Sequence, residues 1–126
     1  MSDIVSVDVF GLPYCTTCQK ALKYLEDQGV RIQSFRDLKT EPLTRAEVEE
    51  LARKVGSADT LFSRRAMKYR AMGLHEQTLS DEDLLRLMTE EYTFVTRPVI
   101  VRGDRATAGF NAKRVDALVG PGPAGS

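Results

Sequence analysis

Val5-Ser6-Val7-Asp8-Val9-Phe10-Gly11-Leu12-Pro13-Tyr14-Cys15-Thr16-Thr17-Cys18 is the stretch from which the architecture can be read. Val5, Val7 and Val9 alternate with Ser6 and Asp8, the period of a strand with one buried face. Gly11 and Pro13 interrupt that strand, and Thr17 to Gln28 then carries Ala21, Leu22 and Leu25 as a helical apolar stripe. Both cysteines of the chain fall where the helix opens. A thiol at the first turn of a helix meets unpaired backbone amides and the positive end of the helix dipole, which favour thiolate over thiol. The stretch therefore reads as strand, turn, nucleophile, helix.

Working outward, Gly29 stops the helix and Val30 to Phe35 reads as a second strand, completing a βαβ unit whose two strands lie parallel. Thr44 with Glu47 spells a capping box for a helix bearing Val48, Leu51 and Ala52, and Gly56 ends it. A further helix covers Ala58 to Phe62, and a basic stretch runs on to Gly73. Ser80 with Asp83 caps a helix whose apolar side is Leu84, Leu85, Leu87 and Met88. Arg97-Pro98-Val99-Ile100-Val101 reads as a strand, Arg102 to Arg105 as a turn, and Ala106 to Gly109 as a return strand. Asn111 caps a last helix with Val115 and Leu118 inward. This order predicts an α/β, thioredoxin-like fold. Its mixed four-stranded sheet is flanked by helices, with a helical insertion at about 44–90 between the βαβ unit and the C-terminal β-hairpin. Residues 1–119 form one domain in this reading, and the Gly, Pro, Ala and Ser of 120–126 form a disordered tail.

Composition narrows the function classes. A chain of 126 residues with 42% hydrophobic content can bury one core without disulfide staples. Eighteen Lys and Arg balance eighteen Asp and Glu, so no global field draws nucleic acid or anionic lipid. No apolar run approaches the roughly 20 residues of a membrane span, and Met1-Ser2-Asp3-Ile4 lacks the character of a signal peptide. The expectation is a cytoplasmic monomer whose thiols stay reduced.

Three groups carry candidate chemistry. Cys15 and Cys18, three apart, share a helix face with Cβ atoms about 5 to 6 Å apart, and a disulfide needs about 3.5 to 4.5 Å. A small adjustment at the first turn closes that gap. Cys15 is the expected low-pKa nucleophile and Cys18 the possible resolving thiol. The rival readings are two buried apolar cysteines or half of a zinc site, for which only His75 remains besides carboxylates. Arg97-Pro98 enters a strand beside the thiol pair, where the thioredoxin fold keeps a cis peptide facing the nucleophile, and proline also holds Arg97 extended; the rival reading is a surface arginine before an edge strand. Arg64-Arg65-Ala66-Met67-Lys68-Tyr69-Arg70 reads either as a solvated helix face or as the source of a guanidinium, Arg64 before Arg65, for an oxyanion. Met67, Met72 and Met88 read as packing, His75 as a surface residue, and Tyr14 as a shield for the thiol or a cover for the core edge.

These residues together resemble the arsenate reductase ArsC family, which also contains the Spx regulators. The likeness rests on the strand ending at Cys15, Glu41-Pro42-Leu43-Thr44 before a helix, Gly56 followed by Arg64, and Tyr69 with Gly73-Leu74. It continues through Leu84-Leu85-Arg86-Leu87-Met88, Thr96-Arg97-Pro98-Val99-Ile100 and Gly109-Phe110. The resemblance implies that Cys15 attacks arsenate while Arg97 and Arg64 hold the anion. A third family arginine falls near Gly109, where none stands, and Arg105 or Arg102 is the expected substitute. No bound metal or organic cofactor is implied; a thiol reductant is required, either glutathione with glutaredoxin or thioredoxin. Cys18 departs from the glutaredoxin-dependent members, and the Spx branch carries the same CxxC as a redox switch. An RNA polymerase-binding regulator, with Gly56 on the partner surface, is therefore the alternative reading, followed by a thiol reductase of another substrate.

Overall fold

The structure, a computed structural model, describes residues 4–120. The expected tail beyond Gly120 and the first three residues of the N-terminal reading lie outside the described residues.

Strand β1 (Ser6–Gly11) leads into helix α1 (Thr16–Asp27) and strand β2 (Arg31–Asp37). Gly29, at φ 76°, makes the left-handed step that closes α1, and the Val30 amide then donates to the Leu25 carbonyl at 2.9 Å. β1 and β2 pair in parallel with a register shift between Val7 and Asp8. Helices α2 (Arg45–Val55), α3 (Ala58–Leu61), α4 (Met67–Ala71) and α5 (Asp81–Glu90) follow, and form the expected insertion. Strands β3 (Val99–Arg102) and β4 (Arg105–Ala108) and helix α6 (Ala112–Val119) complete the chain. The sheet runs β2-β1-β3-β4, with β3 antiparallel to both β1 and β4.

The capping residues act as their spelling implies. Thr44 with Glu47 and Ser80 with Asp83 each form a reciprocal capping box, and the Asn111 side chain accepts from the Arg114 amide at 3.0 Å. Glu47 does more. Arg36 of β2 grips its carboxylate with two parallel bonds of 2.5 and 3.0 Å and donates to the Glu41 and Pro42 carbonyls, tying the β2–α2 connection down.

Two apolar layers sandwich the sheet. Val7, Val9 and Ile100 pack with Ala21 and Leu25 of α1 and Val115 and Leu118 of α6. Val99, Val101 and Ala108 pack with Val48, Leu51, Leu61, Leu84, Leu87, Met88 and Phe94 on the insertion side. Each fully buried Leu, Met or Phe contributes about 1.5 to 3 kcal/mol of transfer free energy, so the insertion is part of the core and not an ornament on it.

Three sequence expectations need correction here. Met67 is 91% exposed and Met72 50%, so of the three methionines read as packing only Met88 packs. Both lie on or beside α4, a helix too short to bury a stripe. Tyr14 stands 61% exposed and does not cover the core edge. Arg64 and Arg65 sit in the turn between α3 and α4 and not on a solvated helix face.

Candidate active site

Cys15 is the N-cap residue of α1 and has extended backbone angles, φ −80° and ψ 123°. The loop before it is held by the Cys15 amide donating to the Leu12 carbonyl at 3.2 Å and by Gln19 Nε2 donating to the Pro13 carbonyl at 3.1 Å. Its side chain makes no capping hydrogen bond to the first-turn amides. Partial burial pushes the Cys15 thiol up. The Cys18 amide, the Cys18 thiol, the Thr17 amide and the positive charge of Arg97 all push it down, and together they leave it below its ordinary value.

Cys18, a turn further along, has no exposed surface. Burial pushes its thiol up, the Leu12 amide opposes this, and the neighbouring Cys15 adds to the rise, so that it stands at about 11. The two neighbouring thiols are thus shifted in opposite directions, Cys15 down and the buried Cys18 up. Both are free thiols.

The Arg97-Pro98 bond is cis. Gly109 donates to the Pro98 carbonyl at 2.9 Å, which folds β4 back beside the proline. The Arg97 guanidinium lies over the Tyr92 ring, 6.0 Å from its centroid. From the other side, Ser63 donates to the Phe94 carbonyl at 2.7 Å and Thr96 donates to the Leu61 carbonyl at 2.8 Å. These two bonds bracket the Phe62–Val95 bridge and join the α3 exit to the strand that carries Arg97.

The result is an open cleft of about 550 Å³ lined by Cys15, Arg64, Arg65, Arg97 and Arg114, with Thr17, Thr60, Ser63 and Thr96 hydroxyls and the Phe62 and Phe110 rings. Arg64 is paired with Asp59 at 2.7 Å and rests on Phe62, whereas Arg65, Arg97 and Arg114 form no ion pair among the described residues. A cleft lined by a cysteine and four arginines suits an anionic ligand, because charged hydrogen bonds are the strong ones and arginine makes them in pairs. Among the described residues no group of three or more His, Cys, Asp or Glu is arranged to hold a metal ion.

Arg105 and Arg102 do not take the third arginine's place. Both donate to the Leu118 carbonyl, at 3.3 and 3.0 Å, and so serve the C-terminus of α6, away from Cys15. The arginine that lines the cleft beyond Gly109 is Arg114, on the first turn of α6, which sequence reasoning missed. The available signal was Asn111: a cap there fixes Arg114 as the third helical residue, next to the loop that returns past the proline.

A cysteine at the head of the first helix beside a cis-proline strand, in a β2-β1-β3-β4 sheet, puts the molecule among the thioredoxin-like thiol proteins. The ArsC family model matches residues 10–118, and the chain belongs to the ArsC family. It is 30% identical over 109 residues to the uncharacterised protein YusI of Bacillus subtilis, spanning 84% of this chain and 92% of YusI. It is 28% identical over 114 residues to the global transcriptional regulator Spx of Streptococcus pneumoniae, spanning 90% of this chain and 85% of Spx. The arsenate reductase from Vibrio cholerae superposes with a TM-score of 0.78 at 25% identity, covering 92% of this chain and 99% of that one. Among the described residues no helix is long and apolar enough to cross a membrane.

Proposed function

We propose that the protein is a thiol-dependent arsenate reductase, and the observation that carries this reading is the Cys15 thiol, held below its ordinary value, lining one cleft with Arg64, Arg97 and Arg114. The Cys15 thiolate attacks arsenic(V); a sulfur–arsenic bond forms and one arsenate oxygen, protonated, leaves as water. The arginines offset the negative charge that would otherwise repel the thiolate. A second thiolate then attacks the Cys15 sulfur. The new sulfur–sulfur bond forms, the sulfur–arsenic bond breaks with its electron pair kept by arsenic, and arsenite leaves. Glutathione or Cys18 supplies that second thiol, and glutaredoxin or thioredoxin reduces the disulfide. The cleft volume lies in the range of pockets for ligands larger than a four-oxygen anion, which leaves room for the reductant to approach. In this reading the protein works as a cytoplasmic monomer with no resident metal or organic cofactor.

The experiment is arsenate turnover followed by NADPH consumption, with glutathione plus glutaredoxin compared against thioredoxin plus its reductase. Cys15→Ser should abolish turnover with both systems, and Arg97→Ala should mainly raise the KM for arsenate. Cys18→Ser losing only the thioredoxin-supported rate makes Cys18 the resolving thiol. Full activity in Cys15→Ser would remove this mechanism.

A second reading has support from the likeness to Spx and from the free thiol pair. In it the chain is a redox-sensing regulator, and the exposed Gly56 at the end of α2 lies on the surface that meets RNA polymerase. Capture of polymerase subunits that depends on the redox state of Cys15 and Cys18, together with no arsenate turnover, would favour it.

A further inference from the structure

Gly11 is the last residue of β1 and is buried against α1. A Cβ atom placed on it would lie 2.7 Å from the Cys18 sulfur, well inside contact distance, yet 3.6 Å from Cys18 Cβ and 3.7 Å from Phe35 Cζ, which are ordinary contacts. The sulfur is thus the single obstruction. Neither partner can retreat easily. The Gly11 carbonyl accepts from the Leu38 amide at 2.9 Å, which pins the strand, and Cys18 has no exposed surface for its sulfur to turn toward. Gly11 is not among the glycines with positive φ, so alanine is compatible with its backbone and a substitution tests the space alone.

We propose that Gly11 is a positioning residue for the thiol pair: the volume its side chain would fill is the seat of the Cys18 sulfur, and that seat sets where the Cys18 thiol stands relative to Cys15. The inference rests on Cys15 being the nucleophile. Alanine at position 11 pushes the sulfur into another rotamer, which moves the Cys18 thiol away from the Cys15 sulfur that it helps to hold below its ordinary value, and the thiolate becomes harder to form. Gly11 touches no substrate in this account and acts only through Cys18.

The test is the pH profile of Cys15 carboxamidomethylation by iodoacetamide, read by peptide mass, in wild type, Gly11→Ala, Cys18→Ala and the double variant, with thermal unfolding alongside. Displacing the Cys18 thiol lowers the Cys15 thiolate fraction at pH 7 about tenfold in Gly11→Ala. In the Cys18→Ala background the same substitution should change nothing further, because the colliding sulfur is gone. Its Tm penalty should also vanish there. An unshifted profile in Gly11→Ala overturns the proposal, and so does an equal shift in both backgrounds. Should Gly11→Ala fail to fold, recovery of a folded protein by adding Cys18→Ala supports the seat, and failure of both variants to fold overturns it. Alkylation needs no arsenate, so a wild-type protein that does not reduce arsenate would defeat the proposed activity and leave this inference to its own result.

Discussion

Cys15 and Cys18 have the same side chain and opposite tendencies, and the difference comes from three residues of helix. As N-cap, Cys15 stands at the end where a helix leaves its amides unpaired; Cys18, one turn on, is buried. The sign for Cys15 follows: its thiol is held below the ordinary value of 9.0, so alkylation should rise with pH at a midpoint below 9.0. Cys18→Ala should move that midpoint up, as stopped-flow alkylation can measure. The arginines divide as sharply. Arg114→Ala should weaken arsenate binding about tenfold or more, the worth of a charged hydrogen-bond pair, while Arg105→Ala, which loses only its bond to the Leu118 carbonyl, should leave binding unchanged. Equilibrium dialysis with arsenate distinguishes the two. Cys15 and Arg97 were legible in the sequence because their placement is local: one opens a helix and the other precedes a proline. Arg114 was not, since its place in the same cleft lining as Cys15 depends on how α6 returns across the sheet, which spacing along the chain does not express.

The helices were the most readable parts, because their ends are spelled by side chains that bond to their own backbone. Thr44→Ala should cost about 1 kcal/mol in urea unfolding, the usual worth of an N-cap, and should leave Cys15 alkylation untouched. Glu47 adds a pH dependence to the same helix. Arg36 above all, with the Thr44 amide, holds its carboxyl below the ordinary value. A depressed carboxyl contributes stability above its unfolded value of about 4.3, and that contribution fades as pH falls through the folded value. Wild type should therefore lose more of its urea midpoint than Arg36→Leu between pH 6 and pH 3. The segment around α4 was misread for the complementary reason. Between Ser63 and Gly73 there is no sustained apolar period, and residue type alone could not say that Met67 faces outward.

The three-layer packing was foreseeable from strand and helix order, whereas the depth to which the insertion joins the core was not. Phe94 has no exposed surface and stacks on Phe62 at 5.2 Å, within the layer that covers β3 and β4. Phe94→Ala should cost about 3 to 5 kcal/mol, read by denaturant unfolding, and should raise the KM for arsenate, because Arg64 rests on the Phe62 ring. The two hydrogen bonds between 61–63 and 94–96 extend that reasoning. They lace together segments about thirty residues apart, so that Arg64 and Arg97 ride on one rigid seam. A chimera in which a short connector replaced the insertion would keep its dithiol and its proline but lose a wall of the cleft. In the proposed reading, the insertion is what separates a reagent for anions from a general-purpose dithiol.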